Sequence, residues 1–196
     1  MPELPDISIR SDEWWSDLSR EDRQAILEYT ASDLHRLNMK HRAPERDHDE
    51  KWTLSKDFDM TNGASEKMDH LSKVLRSGVK YKGTTYRVLA TDDTEKYEEI
   101  LDNLNKHIFG LKGFNSSSVT PQGTLAYSSG NQKHKVMFHI QGRSGVYIGD
   151  HSWIGSDKEV LFDRKIKFRA LKSHENGYSK PYSDEKGIFH IAITEV

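Results

Sequence analysis

The chain has 196 residues, and its four Trp, eight Tyr and seven Phe are too many aromatic residues for a disordered tail. Its 29 Lys and Arg residues nearly balance its 31 Asp and Glu residues, and the formal charge of −2 argues against a protein whose main task is to bind phosphate backbones. The absence of cysteine excludes a disulfide scaffold, a zinc-thiolate site and a cysteine nucleophile.

The first residues, "MPELPDISIRSDEWW", lack the basic-then-apolar pattern of a signal peptide. No apolar run approaches the length that spans a membrane. We therefore expect a protein without a membrane partner that acts in the cytoplasm, or one that is delivered into a host or target cell without a signal peptide.

The first part of the chain is predicted to be helical. Residues 1–18 contain two prolines and no clear period, which predicts a lead-in segment without regular structure. "LSREDRQAILEYTASDLHRLNMK" predicts a helix that Ser19 caps, with apolar residues near one face at Ile26, Tyr29, Leu34 and Leu37. The charged stretch "HRAPERDHDE" predicts a loop, and "ASEKMDHLSKVLRSG" predicts a second helix.

After Gly83 the chain becomes rich in strand-forming residues. "TTYRVLA" predicts a strand, and "TEKYEEILDNLNKHIF" predicts one more helix. Six short strands follow, which are "KGFNSSS", "KVMFHIQG", "GVYIGD", "KEVLFDR", "IKFRALKSH" and "IFHIAITEV". Helices followed by many strands indicate an α+β domain rather than a doubly wound parallel sheet.

Three polar features stand at the edges of predicted strands. Arg87 lies within an apolar strand, where the simplest interpretation is an edge-strand arginine with its head in water. Ser116 to Ser118 follow an aromatic strand and are typical of a polar turn. Asp157 and Glu159 precede an apolar run, and in a strand they share a face, where like charges repel.

In this order, the three features resemble the ADP-ribosyltransferases of the arginine–serine–glutamate class. The segment "GVYIGDHSWIGSDKEVLFDRKIKFRAL" is similar to the part of that family that leads to the catalytic glutamate. The helix "AILEYTASDLHRLN" resembles the helix before the core in clostridial binary-toxin and bacteriophage members. The resemblance extends from Ser19 to the C-terminus.

The resemblance implies an α+β fold in which N-terminal helices pack on a two-sheet, mostly antiparallel core with a central NAD cleft. We accordingly expect a lead-in at residues 1–18 and a single domain at 19–196. The helical part of that domain would be residues 19–82, and its β-rich catalytic core would be residues 83–196.

The resemblance also implies roles for individual residues. Loss of nicotinamide from NAD leaves an oxocarbenium-like ribosyl cation, which the Glu159 carboxylate would stabilise while it holds the ribose 2′-hydroxyl. Arg87 would clamp the diphosphate, and Ser116 would hydrogen-bond Glu159 and fix its rotamer. The backbone of Val88 would hold the nicotinamide amide. Tyr127 would stack on the nicotinamide ring, although an aromatic residue there is equally typical of a core position.

The position two residues before the catalytic glutamate engages the acceptor in this family, and it is usually Glu or Gln. Here it is Asp157, one methylene shorter. Glutamate at this position accompanies arginine acceptors, so arginine is the favoured acceptor. Trp153, in the preceding loop, would touch a macromolecular acceptor or pack against the sheet.

The function predicted from the resemblance is mono-ADP-ribosyltransfer from NAD, as substrate, to a side chain of a target protein. The protein would be a bacteriophage host-modifying protein or a bacterial toxin, and a monomer. Three alternatives remain open: an NAD glycohydrolase, a transferase that modifies nucleic acid, and a non-catalytic binding module. No metal is predicted, because the charged run from His41 to Glu50 is typical of a solvated loop.

Overall fold

The protein was analysed as a computed structural model that describes residues 4–30, 63–105, 108–110, 113–126, 132–152, 158–171 and 180–196. In these ranges the helices are α1 Leu4–Asp17, α2 Arg20–Thr30, α3 Gly63–Ser77, α4 Thr94–Asn105 and α5 Pro121–Ala126. The strands are β1 Thr84–Thr91, β2 Phe109–Gly110, β3 Asn115–Ser118, β4 His134–Gln141, β5 Val146–Gly149, β6 Glu159–Phe162, β7 Lys167–Ala170, β8 Tyr182–Ser183 and β9 Ile188–Glu195. No described helix combines the length and the apolar character needed to cross a membrane.

Helix α2 begins where the sequence predicts it. The Ser19 hydroxyl accepts a hydrogen bond from the backbone N–H of Asp22 at 3.0 Å, which is the geometry of an N-cap. Glu21 and Asp22 place negative charge in the first turn, where the helix dipole favours it. The continuation of this predicted helix past Thr30 and the charged run at residues 41–50 lie outside the described residues.

The expectation of an irregular lead-in at residues 1–18 is wrong, because Leu4–Asp17 form helix α1. Pro5 lies in the first turn of this helix, where a missing N–H costs nothing. Ile7, Ser11 and Trp14 are buried at helical spacing, so the buried face of α1 contains one polar and two apolar residues. The small serine interrupts the apolar pattern, which hides the period in the sequence.

The described strands form one hydrogen-bonded, nine-stranded sheet in the order β2-β7-β9-β4-β1-β3-β6-β5, with β8 added on β9. Pairing is antiparallel except between β4 and β9, which confirms the mostly antiparallel α+β fold. Two groups of strands, β2-β7-β9-β4-β1 and β3-β6-β5, meet at the pairing of Tyr86 with Ser118. The two sheets expected from the sequence are therefore joined at this point.

Two cores hold these groups in place. In the first, residues of α1, α2 and α3 pack against β5 and β6, and its buried members include Trp14, Tyr29, Leu71 and Leu161. In the second, both strand groups and α4 contribute, with Phe138, Phe162 and Phe168 at its centre. The N-terminal helices thus support the group β3-β6-β5.

Candidate active site

Three strands bring Arg87, Ser116 and Glu159 together. The Arg87 Nη1 donates a hydrogen bond to the Ser116 carbonyl oxygen at 2.5 Å. The Ser116 hydroxyl in turn donates a short hydrogen bond to the Glu159 Oε1. The backbone carbonyl of Ser116 therefore contacts a guanidinium on β1, and the side chain of Ser116 contacts a carboxylate on β6.

The register of β3 against β6 explains why Ser116 reaches Glu159. Ser118 pairs with Glu159 and Ser116 pairs with Leu161, so both serines lie on the Glu159 face. Ser117 lies on the opposite face, where its hydroxyl donates to the Val160 carbonyl at 2.9 Å. The triple serine is thus a strand with two faces rather than a polar turn.

Arg87 does not have its head in water, as the simplest interpretation of the sequence suggested. Only 9% of its surface is exposed, and 6% of that of Glu159. Charged groups are rarely buried unless they are paired and hydrogen-bonded, and Ser116 supplies one hydrogen bond to each of these two groups. A buried Arg and a buried Glu linked by one serine are typical of a functional site rather than of a strand edge.

The prediction that Asp157 and Glu159 share a face can be compared with the structure only at Glu159. Strand β6 begins at Glu159, and Lys158 has a φ of 46°, in the left-handed region. Side-chain alternation requires an extended backbone, so the alternating pattern of β6 is described from Glu159 onward. Asp157, Trp153 and Tyr127 lie outside the described residues.

The backbone N–H of Val88 donates to the hydroxyl of Thr124, on α5, at 2.9 Å. Neither α5 nor the contact of Thr124 was predicted from the sequence. The signal was present, since Thr120 caps this helix through the Gly123 N–H at 3.2 Å and Pro121 occupies its first position. The amide that the resemblance assigns to nicotinamide therefore has an internal partner.

A histidine pair lies on the same sheet face. Glu159 pairs with Ser118, Ser118 with Tyr86, and Tyr86 with His139, which forms one cross-strand row. The Nε2 of His139 lies 2.9 Å from the Nδ1 of His190. Burial lowers the pKa of His139, and the neighbouring His190 lowers it further.

Comparisons with known proteins identify the class of fold. The ADP-ribosyltransferase Vis, solved in complex with agmatine and originating from Vibrio splendidus, matches with a TM-score of 0.63 and 17% identity over 100% of this chain and 87% of that chain. The ADP-ribosyltransferase HopU1 of Pseudomonas syringae pv. tomato DC3000 matches with a TM-score of 0.68 and 16% identity over 97% of this chain and 88% of that chain. The fold is therefore that of ADP-ribosyltransferase toxins.

The sequence defines the family. The model of the ADP-ribosyltransferase exoenzyme family matches residues 8–194, so the chain belongs to that family, whose substrate is NAD. The curated NAD(+)–arginine ADP-ribosyltransferase EFV of Enterococcus faecalis is 26% identical over an alignment of 168 residues that covers 83% of this chain. The match spans only 31% of the length of that relative.

Proposed function

We propose that the protein transfers ADP-ribose from NAD to an arginine side chain of a target protein. The observation that carries the proposal is the chain of hydrogen bonds from Arg87 through Ser116 to Glu159. It joins a cation suited to a diphosphate with a carboxylate suited to a ribosyl cation, on three adjacent strands.

The chemistry assigned to Glu159 is electrostatic. The bond between C1′ of the ribose and the nicotinamide nitrogen breaks, and nicotinamide departs with the electron pair. The Glu159 carboxylate stabilises the positive charge that develops on the ribose and accepts a hydrogen bond from its 2′-hydroxyl. Ser116 holds the carboxylate in one orientation before NAD binds, so little reorganisation is needed during the reaction.

The remaining NAD contacts are assigned by the family pattern. Arg87 binds the diphosphate, the backbone of Val88 binds the carboxamide of nicotinamide, and Tyr127 stacks on the nicotinamide ring. Val88 can take this role only if the hydrogen bond from its N–H to the Thr124 hydroxyl breaks.

The acceptor side is assigned to Asp157 and Trp153. An arginine nitrogen attacks C1′, and the Asp157 carboxylate takes the proton that this nitrogen loses. Support for arginine comes from the name of the Enterococcus relative and from agmatine, bound in the Vis structure, which carries the guanidinium group of arginine. Relatives of this kind are toxins and effectors, and we propose the same setting for this chain, with delivery into a host or target cell and action as a monomer.

The test uses NAD and agmatine as defined substrates. Purified protein is incubated with both, and chromatography separates nicotinamide, ADP-ribosyl-agmatine and free ADP-ribose. The wild-type chain should form ADP-ribosyl-agmatine, whereas Glu159→Gln should lose about two to three orders of magnitude in rate, because the charge that stabilises the cation is gone.

The other outcomes identify the alternatives. Free ADP-ribose without the agmatine adduct would indicate an NAD glycohydrolase. No nicotinamide release at all, with NAD still bound, would indicate a binding module. A Glu159→Gln variant with wild-type activity would contradict the role of Glu159.

A further inference from the structure

A chain of three side chains links the turn between β8 and β9 to strand β4. Asp184 in this turn is held by the backbone N–H groups of Lys186 and Ile188, which both donate to its Oδ1 at 2.9 Å. Its other oxygen, Oδ2, lies 3.2 Å from the Nε2 of His190 on β9. The Nδ1 of His190 lies 2.9 Å from the Nε2 of His139 on β4. We call Asp184, His190 and His139 the histidine chain.

The carboxylate determines the direction of these hydrogen bonds. A carboxylate only accepts, so the Nε2 of His190 carries a hydrogen and donates it to Asp184. The other nitrogen of a neutral imidazole is an acceptor, so the His139 Nε2 donates to the His190 Nδ1. Burial and, second, the neighbouring His190 lower the pKa of His139, which keeps its ring neutral at neutral pH. Both rings are therefore held in one tautomer and one orientation.

Aromatic contacts extend the histidine chain at both ends. On β8, the ring of Tyr182 stacks on His190 with a centroid separation of 4.8 Å and an interplanar angle of 4°. On β1, the ring of Tyr86 meets His139 edge to face, with a centroid separation of 5.1 Å and an angle of 69°. His139 is therefore fixed by His190 and in turn packs against Tyr86.

Tyr86 lies where the two groups of strands meet. It pairs with His139 on one side and with Ser118 on the other, and the pair Tyr86–Ser118 joins β1 to β3. Ser118 pairs in turn with Glu159 on β6. Arg87 is the next residue of β1 after Tyr86. A contact that holds Tyr86 is thus made between the strand that carries the arginine and the strands that lead to the glutamate.

We propose that the histidine chain is a positioning element for NAD and acts through Tyr86 on the separation of Arg87 and Glu159. This rests on the proposed function, in which Arg87 binds the diphosphate and Glu159 stabilises the ribosyl cation of the same NAD molecule. A substrate held at two points reacts fast only when both points are in register, so small displacements lower the rate. No member of the histidine chain contacts the reacting atoms in this account.

The test compares His190→Phe with a matched control, His134→Phe. Phenylalanine at position 190 keeps an aromatic ring against Tyr182 but loses both hydrogen bonds of the histidine chain. His134 is also half-buried on β4, stacks on Tyr97 at 4.4 Å and is hydrogen-bonded, but it lies at the start of the strand, away from Tyr86. The kcat for nicotinamide release is measured with NAD in the presence and absence of agmatine.

His190→Phe should lower kcat about three- to tenfold, the range that corresponds to the loss of one ordinary hydrogen bond. Transfer and hydrolysis should fall by the same factor, because both begin from the same NAD complex, and the KM for agmatine should not change. His134→Phe should keep the wild-type kcat.

Two further variants separate positioning from a general effect on the fold. In Asp184→Asn the amide oxygen still accepts from the turn and the amide nitrogen donates to the other tautomer of His190, so kcat should stay near the wild-type value. The double variant His139→Phe/His190→Phe leaves no unpaired imidazole and should fold even where His190→Phe does not. Its loss of kcat should equal that of His190→Phe, because both histidines act through one hydrogen bond.

Thermal melts show which variants are folded. A folded His190→Phe or double variant with the wild-type kcat would overturn the inference, as would an Asp184→Asn variant that loses as much activity as His190→Phe. Loss of transfer with intact hydrolysis would also overturn it, because it would indicate an effect on the acceptor alone. These results leave the proposed function standing as long as the wild-type chain forms the agmatine adduct. A wild-type chain that releases no nicotinamide would overturn the proposed function and this inference with it.

Discussion

At the scale of single residues, Ser116 makes hydrogen bonds with two functional residues. It hydrogen-bonds two buried charged groups, since its carbonyl accepts from Arg87 and its hydroxyl donates to Glu159. An unpaired charge in the interior would be strongly destabilising, so these contacts also allow both groups to remain in the fold. The site is therefore organised by the folded chain before any substrate binds.

We expect Arg87→Lys to weaken NAD binding by about ten- to a hundredfold, because lysine keeps the charge but loses the planar fork of donors. Isothermal titration with NAD measures the dissociation constant. Arg76→Lys, at an exposed position of α3, is the matched control and should bind NAD as the wild type does. An unchanged dissociation constant in Arg87→Lys would show that Arg87 does not contact the dinucleotide.

We expect Asp157→Asn to lower transfer to agmatine by about a hundredfold or more, because the group that takes the acceptor proton is lost. NAD hydrolysis should continue, since water replaces the acceptor and Glu159 still stabilises the cation. Asp150→Asn, at an exposed position of the same segment, serves as control. If Asp157→Asn lost hydrolysis as completely as transfer, the division of labour between the two carboxylates would be wrong.

At the scale of elements, the Thr124 hydroxyl of α5 accepts from the Val88 N–H that nicotinamide is proposed to use. The Thr124 hydroxyl accepts from the Val88 N–H, and Thr124→Val removes that hydroxyl at nearly constant shape. If nicotinamide uses the same N–H, the variant should bind NAD several-fold more tightly, because the amide no longer has an internal partner to lose. Weaker or equal NAD binding, measured by titration, would remove Val88 from the binding site.

The β4–β9 pair predicts a pH effect on stability. The pKa of His139 lies below its usual 6.5 because of burial and, second, the nearby His190. The folded protein therefore binds this proton less readily than the unfolded chain does. The folded protein therefore keeps its full stability above about pH 6.5. Its stability falls as the pH drops below that value, because the unfolded chain takes up this proton more readily.

Denaturant unfolding at pH 7.5 and pH 5.5 measures this effect. The loss of stability at the lower pH should be smaller in His139→Gln than in the wild type. The loss of stability in His190→Gln should lie between those of the other two proteins, because burial still lowers the pKa of His139. Equal losses in all three proteins would contradict the account.

The sequence predicted the elements that have a clear period or a strand composition. The Ser19 cap, α3 and the strands at β1, β3–β7 and β9 lie where expected. The helix predicted from Thr94 to Phe109 is confirmed as α4 only up to Asn105, because Phe109 belongs to β2. Arg87, Ser116 and Glu159 were selected because each is a polar residue beside an apolar strand. The family pattern then placed them in one site.

The misses have identifiable physical causes. Helix α1 was missed because Ser11 occupies a buried position, where it binds the Tyr147 carbonyl instead of adding to an apolar face. The hydrogen bond from Val88 to Thr124 depends on tertiary contact between α5 and β1, which no local pattern records.

At the scale of the whole molecule, the candidate site lies where two groups of strands meet. Arg87 belongs to the group containing β4 and β9, whereas Ser116 and Glu159 belong to the group that the N-terminal helices support. The position of the arginine relative to the glutamate therefore depends on both cores.

We propose that transfer of ADP-ribose from NAD to protein depends on the Glu159 carboxylate. The most direct measurement incubates radiolabelled NAD with a cell lysate and either the wild-type chain or Glu159→Gln, with thermal melts to confirm that both are folded. We expect label on protein with the wild type and loss of that label in Glu159→Gln, with mass spectrometry locating ADP-ribose on arginine. Label on nucleic acid, release of free ADP-ribose alone, or equal protein labelling by Glu159→Gln would contradict it.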